Sequence, residues 1–424
     1  MSDTGPERLL VQIASYNTNL QGIFGLPQDL VDWLSPTLEV STFLSPTRRA
    51  PDVVVVGFQE LLPLHLGLAG LSKAVIDNRD SLILSQIETH APNKERYSLV
   101  AKVVNVGVAL FVYARDDGLA RDICNIETQW TGCGPLYMGN KGAVAVRFRT
   151  SDQATQYPGE IFTFVCAHLT AHDHKVAQRV ADYNHIAQTL LFGPVEPTSR
   201  APSTMFSTTH LFYFGDLNFR LQFPETHPMS VICRTKEFAG ALDDEIKREE
   251  IKDCDQLVNV MKDGRAFADF HEGQFWKFKC SYKYQLGEVD KYSSKRIPSW
   301  TDRILYMTSK DAPGASRGDS AITNLLYTSI PSYTTSDHKP IVSLLLMPSS
   351  TDGTASLITA GRHSVDRHAN FKRYSGRLVG RVVGVFWWLL TFLGAGSTTV
   401  GTINFLLGLG AWRWWGSAPS SSSV

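Results

Sequence analysis

The sequence predicts an α/β fold: packed β-sheets at the centre with helices outside. Two observations carry this. Of 424 residues, 43% are apolar and 19% charged, so the chain can build a large core and wholesale disorder is excluded. Short apolar runs bounded by turn residues also outnumber the longer helical stretches, and no internal repeat is present. At roughly 100 to 200 residues per domain the length allows two or three domains, or one large α/β body and an appendage.

Taken along the chain, strands are expected at 9–15, 53–58, 106–113, 143–148, 161–167, 210–214, 303–307 and 341–347. The clearest is Val53-Val54-Val55-Val56-Gly57-Phe58, a β-branched run that suits a strand buried on both faces. Helices are expected at 27–34, 64–89, 175–192 and 243–262. The loops at 194–209 and 311–319 are rich in Pro, Ser, Thr and Gly and read as insertions within the body. A deeper change comes at 348–361, a Ser/Thr/Gly stretch that reads as a linker. The expected division is therefore a catalytic body at 8–347, a linker at 348–381 that turns basic, and a hydrophobic membrane anchor at 382–415.

Charge follows that division. The chain has 41 basic and 41 acidic residues, which argues against nucleic acid held by bulk attraction. From Arg362 onward, however, seven basic residues face one acid, Asp366, so an acidic body carries a basic tail. The six cysteines are scattered without a CxxC pair and read as reduced thiols. Residues 1–10 lack the apolar core of a secretory signal, so the body is expected in the cytosol.

Unusual polar residues fall at the ends of the apolar runs. Asn17 follows the first, Gln59 and Glu60 the second, His168 the fifth, and Asp216 and Asn218 the sixth; Asp302 leads into the next, and Asp337 and His338 precede the last. Singly, each reads as a turn residue, a helix cap or a satisfied core histidine. Together they supply the parts of a hydrolase that uses one hard cation and an activated water. Glu60 and Asn17 offer oxygens to Mg²⁺, Asp216 can polarise the water, and Asn218 can fix its geometry. His168 and His338 can donate hydrogen bonds to a phosphoryl group, with Asp302 holding the His338 tautomer.

The strings Phe58-Gln59-Glu60, Gly139-Asn140-Lys141-Gly142, Ala167-His168-Leu169, Gly215-Asp216-Leu217-Asn218-Phe219-Arg220, Trp300-Thr301-Asp302-Arg303-Ile304 and Ser336-Asp337-His338 occur in this order over 17–340. The set resembles the inositol polyphosphate 5-phosphatases. Gln-Glu or Ser-Asp-His alone would indicate only the wider exonuclease/endonuclease/phosphatase superfamily. The resemblance implies a four-layered sandwich of two mostly antiparallel sheets flanked by helices. It implies that Glu60 and Asn17 serve the Mg²⁺ site, with Asp337 in its network, and that Asp216 activates or orients water. His338 with Asp302 would contact the scissile phosphate, Asn218 and His168 would position it, and Asn140 and Lys141 would lie close by.

Substrate choice is assigned to the stretch 277–303, where lysines and arginines interleave with aromatics. By the resemblance, Tyr282, Lys283, Lys295 and Arg296 hold a neighbouring 4-phosphate. Cys280, Ser281, Gln285 and Thr301 depart from common family residues. His172, Arg179 and Asn184 lie where the family has a His-Leu-x-x-His stretch and a helix, so His172 either touches substrate or caps that helix.

The tail has 31 consecutive uncharged residues, 382–412, against the roughly 20 that span a bilayer. It allows one tilted helix, a span with an interfacial piece, or two halves of a re-entrant hairpin. Five of the nine tryptophans lie in the tail, as in interfacial anchors, and the basic residues before the run favour a cytosolic body. With about a dozen residues after the run, the pattern is that of a tail-anchored protein, with the endoplasmic reticulum as first expectation. The expected partners are phosphoinositide lipids and the membrane; no protein partner is indicated.

The leading reading is Mg²⁺-dependent removal of the 5-phosphate from phosphatidylinositol 4,5-bisphosphate, with the 3,4,5-trisphosphate as a second substrate. The alternatives are a phosphodiesterase of the same superfamily, a nuclease or sphingomyelinase, and a catalytically inactive phosphoinositide-binding adaptor.

Overall fold

The computed structural model describes residues 8–22, 49–151, 158–196, 198–312, 319–349, 356–358 and 363–416. In the first sheet, β1 (Leu10–Asn17), β2 (Val53–Gln59), β3 (Tyr97–Asn105), β4 (Val108–Arg115), β11 (Thr323–Ser329) and β12 (Ile341–Leu346) are ordered β11-β12-β1-β2-β4-β3. The second sheet contains β5 (Ile123–Gly132), β6 (Gly142–Ser151), β7 (Pro158–His168), β8 (His210–Asp216), β9 (His271–Glu272) and β10 (Asp302–Thr308), ordered β5-β6-β7-β8-β10-β9. Each sheet has one parallel pair, β1 with β2 and β7 with β8; the other pairs are antiparallel.

The eight strands expected from sequence are the eight inner strands. The four not expected, β3, β5, β9 and β11, are the four sheet edges. An inner strand is covered on both faces and flanks and reads as an unbroken apolar run. Edge strands are half exposed: β5 (ICNIETQWTG) mixes polar and apolar residues without clean alternation, and β9 has two residues.

Apolar side chains of both sheets, among them Val55, Val144, Phe164 and Phe212, form the central core. Gly57 sits where the sheets approach closely, since a Cβ there would lie 2.5 Å from the Phe214 ring. The outer face of the first sheet packs beneath α2 (Lys73–His90), through Val75, Ile83 and Ile87. The outer face of the second packs beneath α3 (Val176–Thr189) and α6 (Gln256–Lys262), through Ile186, Leu257 and Val260. The expected sandwich of two sheets between helices is therefore present.

Two expected helices are divided. The stretch 64–89 forms α1 (Leu64–Ala69) and α2, because Gly70 adopts φ +80° and closes α1 with a left-handed cap. The stretch 243–262 begins with α5 (Glu245–Ile251), capped by Asp244, and restarts as α6 at Asp255, whose carboxylate accepts from the Leu257 and Val258 amides. A further short helix, α4 (Lys236–Ala241), precedes them. The helix expected at 27–34 lies outside the described residues.

The C-terminal segment departs from the expected linker and anchor. Ile358 is buried and donates its amide to the Thr208 carbonyl, and His363 stacks on Phe206 at 5.3 Å. The basic stretch and the first apolar stretch form one helix, α7 (Ala369–Phe392), so the division expected at 381 falls inside a helix. Its first half docks on the body. Gly376, Gly380 and Gly384 are buried, and a Cβ on Gly376 or Gly384 would lie 2.1 Å from the Tyr137 carbonyl oxygen or 2.3 Å from the Ala69 nitrogen. After a turn at Gly394, α8 (Thr398–Gly416) follows, with Asn404 bonded to the Leu393 carbonyl at 2.9 Å. Among the described residues no helix is long and apolar enough to cross a membrane, so the expected membrane anchor is not supported as a spanning helix, either alone or with an interfacial piece.

Candidate active site

Strand direction gathers the polar residues at one edge of the sandwich. β1, β2, β7 and β8 end there, while β10 and β12, antiparallel to β8 and β1, begin there. In the second sheet, His168 on β7, Asp216 on β8 and Asp302 on β10 stand in direct register. In the first, Asn17 pairs with Gln59, with Glu60 next in the chain. Residues 285 positions apart thereby line one cleft.

Asp216 is at its centre. Its Oδ2 accepts from Asn17 Nδ2 at 3.0 Å and lies 3.3 Å from His168 Nε2 and 3.9 Å from His338 Nε2. Burial opposes its charge, but His338, His168 and Lys141 outweigh burial and hold its carboxyl well below the usual range. Glu60, with φ +49° and a third of its side chain exposed, reaches to 3.8 Å from His168 Nε2. Lys141 is half-buried against His168. Burial lowers its pKa, against the pull of Asp216 and Glu60.

Opposite, His338 is buried and pairs with Asp302 through Nδ1 at 2.9 Å. Burial disfavours its charge, yet Asp302 and Asp216 prevail and raise its pKa to about 10, so the ring is an imidazolium at neutral pH. The same Asp302 oxygen accepts from Ser281 at 2.7 Å and Thr301 at 2.9 Å. Two of the residues that depart from the family pattern thus brace the histidine's partner. Asn218, at φ +59°, donates to the Leu169 carbonyl at 3.0 Å and accepts from Arg220.

The remaining candidates are placed less uniformly. Tyr282 joins the cleft, its ring 4.5 Å from that of His338. Lys283 and Asp337 form an ion pair at 2.5 Å, so Asp337 is engaged by a lysine of the basic, aromatic stretch. Asn140 is half-buried, with Oδ1 buried and without a hydrogen-bond partner. Lys295 and Arg296 are exposed, and the His172 pKa is lowered by burial, with Arg296 adding to it. The His172 carbonyl accepts from Arg179 at 2.6 Å, whereas the N-cap of α3 is Lys175, so His172 does not cap that helix. Arg179 is buried in loop and Gln256 contacts, and Asn184 is half-buried on α3.

Arg220 is the residue that sequence reasoning missed as a site member. Its guanidinium lies 4.1 Å over the Tyr282 ring, and its Nε and Nη1 are buried without partners. Buried unpaired donors beside an imidazolium and a lysine fit an anionic ligand. Its position two residues after Asn218, in the same polar string, was the available signal. The donor set also suits a hard divalent cation: Glu60, Asp216 and Asn17 offer oxygens, and the buried carboxylates of Asp216 and Asp302 lie within 4.8 Å of one another.

Two face-packed mixed sheets flanked by helices, with carboxylate, amide and histidine side chains at one edge, define a class of metal-dependent phosphoester hydrolases. The model of endonuclease/exonuclease/phosphatase family 2 matches residues 15–344. The chain belongs to this family and, within it, to the inositol polyphosphate 5-phosphatases. It is 30% identical to human synaptojanin-1 over 370 residues, 80% of this chain and 21% of that protein. It is 33% identical to rat phosphatidylinositol polyphosphate 5-phosphatase type IV over 338 residues, 77% of this chain and 44% of the relative. The chain thus spans about a fifth of the length of synaptojanin-1. Among solved structures, the inositol polyphosphate 5-phosphatase domain of SPsynaptojanin, in complex with inositol (1,4)-bisphosphate and calcium ion, matches with TM-score 0.60 and 27% identity over 80% of this chain and 84% of that one.

Proposed function

We propose that this protein hydrolyses the 5-phosphate of phosphoinositides, with phosphatidylinositol 4,5-bisphosphate as first substrate, the 3,4,5-trisphosphate as second, and Mg²⁺ as cofactor. The observation that carries the reading is the meeting of Asp216, the His338–Asp302 pair and the Lys141–His168 pair in one cleft that also holds unpaired donors of Arg220. Glu60, Asn17 and Asp216 would hold the cation, which when bound neutralises phosphate charge. The protein residues supply the rest. His338, Lys141 and Arg220 present positive charge to the phosphoryl oxygens. Asp216 is too weak a base to strip water outright and acts chiefly by orienting it for in-line attack. The water oxygen bonds to phosphorus as the bond from phosphorus to the ring oxygen breaks. The ring oxygen gains a proton and water loses one, releasing a ring hydroxyl and inorganic phosphate.

Tyr282, Lys283, Lys295 and Arg296 are the proposed contacts for the neighbouring 4-phosphate. We place the enzyme at a cytosol-facing membrane, the endoplasmic reticulum being the first compartment to test. Support comes from α7 and α8, where Phe386, Phe392, Phe405 and Leu407 are each more than 60% exposed, large apolar side chains of the kind that mark an interaction surface. Lying on or partly in the bilayer fits this pair; spanning it does not.

The test is phosphate release by the full chain from a panel of phosphoinositides and soluble inositol phosphates, with and without Mg²⁺. Asp216→Asn and His338→Ala should each lose at least a hundredfold in turnover. Undiminished turnover in both, or a large preference for sphingomyelin or abasic DNA, would defeat the proposal.

A further inference from the structure

Outside the cleft, a cavity of about 220 Å³ lies between α1, the β3–β4 turn and α7. Its wall includes Ser72, Asn105, Gly139, Arg377 and Arg381. Arg373, Arg377 and Arg381 recur every fourth residue and so share one face of α7. Arg373 is engaged by Gln129 and Asn370. Arg377 lies 3.3 Å over the Trp130 ring, a contact that uses the flat face of its guanidinium. Neither Arg377 nor Arg381 has an acidic partner among the described residues. Burial, with Arg381 and Arg373 adding to it, pulls the Arg377 pKa down to about 10. The 18-residue helix α2 also starts at this wall, and its N-cap Ser72 makes no side-chain capping bond, so the positive end of a helix dipole adds to the two arginines.

What lies next along α7 indicates the source of the anion. Immediately beyond Arg381 the helix exposes Val382, Val383, Val385 and Phe386. A helix with this order places its arginines at headgroup depth when the apolar part enters the hydrocarbon boundary.

We infer that the cavity between α1 and α7 is a second anion site, separate from the catalytic cleft, which takes the phosphate group of a lipid headgroup. The lipid source rests on the membrane reading given above; the shared chemistry, a phosphate held by two guanidinium groups, also admits free phosphate. Gly139 lines the cavity and directly precedes Asn140 and Lys141, so an occupant would touch the loop that carries two cleft residues.

The experiment uses the full chain and vesicles of phosphatidylcholine with or without 10 mol% phosphatidic acid, a headgroup phosphomonoester that carries no inositol ring. Wild type is expected to bind the acidic vesicles more tightly. Arg381→Gln, at an exposed position, should lose about fivefold of that increment, and Arg377→Gln/Arg381→Gln more. Both variants should keep wild-type affinity for neutral vesicles and hydrolyse a soluble inositol phosphate at the wild-type rate. Lys73→Gln is the charge control: Lys73 follows Ser72 but is outside the cavity wall, exposed and paired with Asp77. An equal loss in Lys73→Gln, or no loss in Arg381→Gln, overturns the site. If wild type binds neither vesicle, the membrane reading fails and calorimetry with inorganic phosphate decides the site. Two phosphate sites in wild type and one in the double variant uphold it; equal numbers reject it.

Discussion

Replacing Asp302 by Asn separates the charge of the His338 partner from its shape. In the metal-free protein the His338 pKa stands near 10 against an ordinary 6.5. That rise is worth roughly 5 kcal/mol in favour of the imidazolium at about 1.36 kcal/mol per pH unit. Burial acts against the charge, so the rise comes from Asp302, which also accepts the Nδ1 hydrogen bond, and from Asp216. Asn keeps an acceptor for the Ser281 and Thr301 hydroxyls but removes the nearest charge. His338 is then expected to titrate below neutrality and to be a neutral ring at pH 7.5. Phosphate release should fall by about a hundredfold to a thousandfold, the cost of losing one charged donor to a developing oxyanion. Stability gives an independent sign. A group whose folded pKa is raised contributes fully below its unfolded value and loses that contribution as pH climbs through the folded one. Wild type should therefore weaken between about pH 6.5 and 10 from this source, and Asp302→Asn should show a flatter profile over that window. Nitrogen-15 titration of His338 in chelator-treated protein, urea midpoints at pH 6, 8 and 10, and phosphate release are the measurements. An unchanged His338 titration, or activity within threefold of wild type, would refute the reasoning.

Glu60→Gln removes one charged oxygen from the cation site, so half-maximal activity should need at least tenfold more Mg²⁺, read by metal titration at saturating substrate. Arg220→Ala deletes the buried unpaired donors over Tyr282 and should raise KM and lower kcat/KM by at least tenfold; an unchanged KM would remove Arg220 from the substrate contacts. Gly376→Ala forces a Cβ to 2.1 Å from the Tyr137 carbonyl oxygen, so the helix must shift, at about 1–3 kcal/mol. Hydrogen exchange over the first half of α7 should quicken, and protection equal to wild type would show that the helix does not dock there.

How much was legible depended on how each residue is buried. The inner strands declared themselves because enclosure on every side leaves nothing but apolar residues to read, as in 53–58. The edge strands β3, β5 and β11 face solvent in part, and their sequences resemble loops. Of the expected cleft residues, Asn17, His168, Asp216, Asn218, Asp302 and His338 are buried at one edge of the sandwich. The partner of Asp337 was not legible, because whether it faces the cation site or Lys283 depends on a side-chain direction across 54 residues. Nor was the docking of α7. Gly376 and Gly380 fell in the expected linker and Gly384 in the expected anchor, and only the approach of Tyr137, Leu68 and Ala69 shows that they are small to admit the body.

By itself the sequence determined the inner strands, the polar residues at their ends and the family, since these rest on local pattern: apolar enclosure, turn chemistry and short strings in order. The tertiary structure alone decided which residues share charge. Asp302 and Asp216 raise the His338 pKa because β8 and β10 hold the two carboxylates in register beside a buried histidine from the loop before β12. The tertiary structure also decided that a basic stretch readable as a linker is a helix fastened to the catalytic body. Both are consequences of close approach between segments distant in the chain, and no local pattern encodes the distance between such segments.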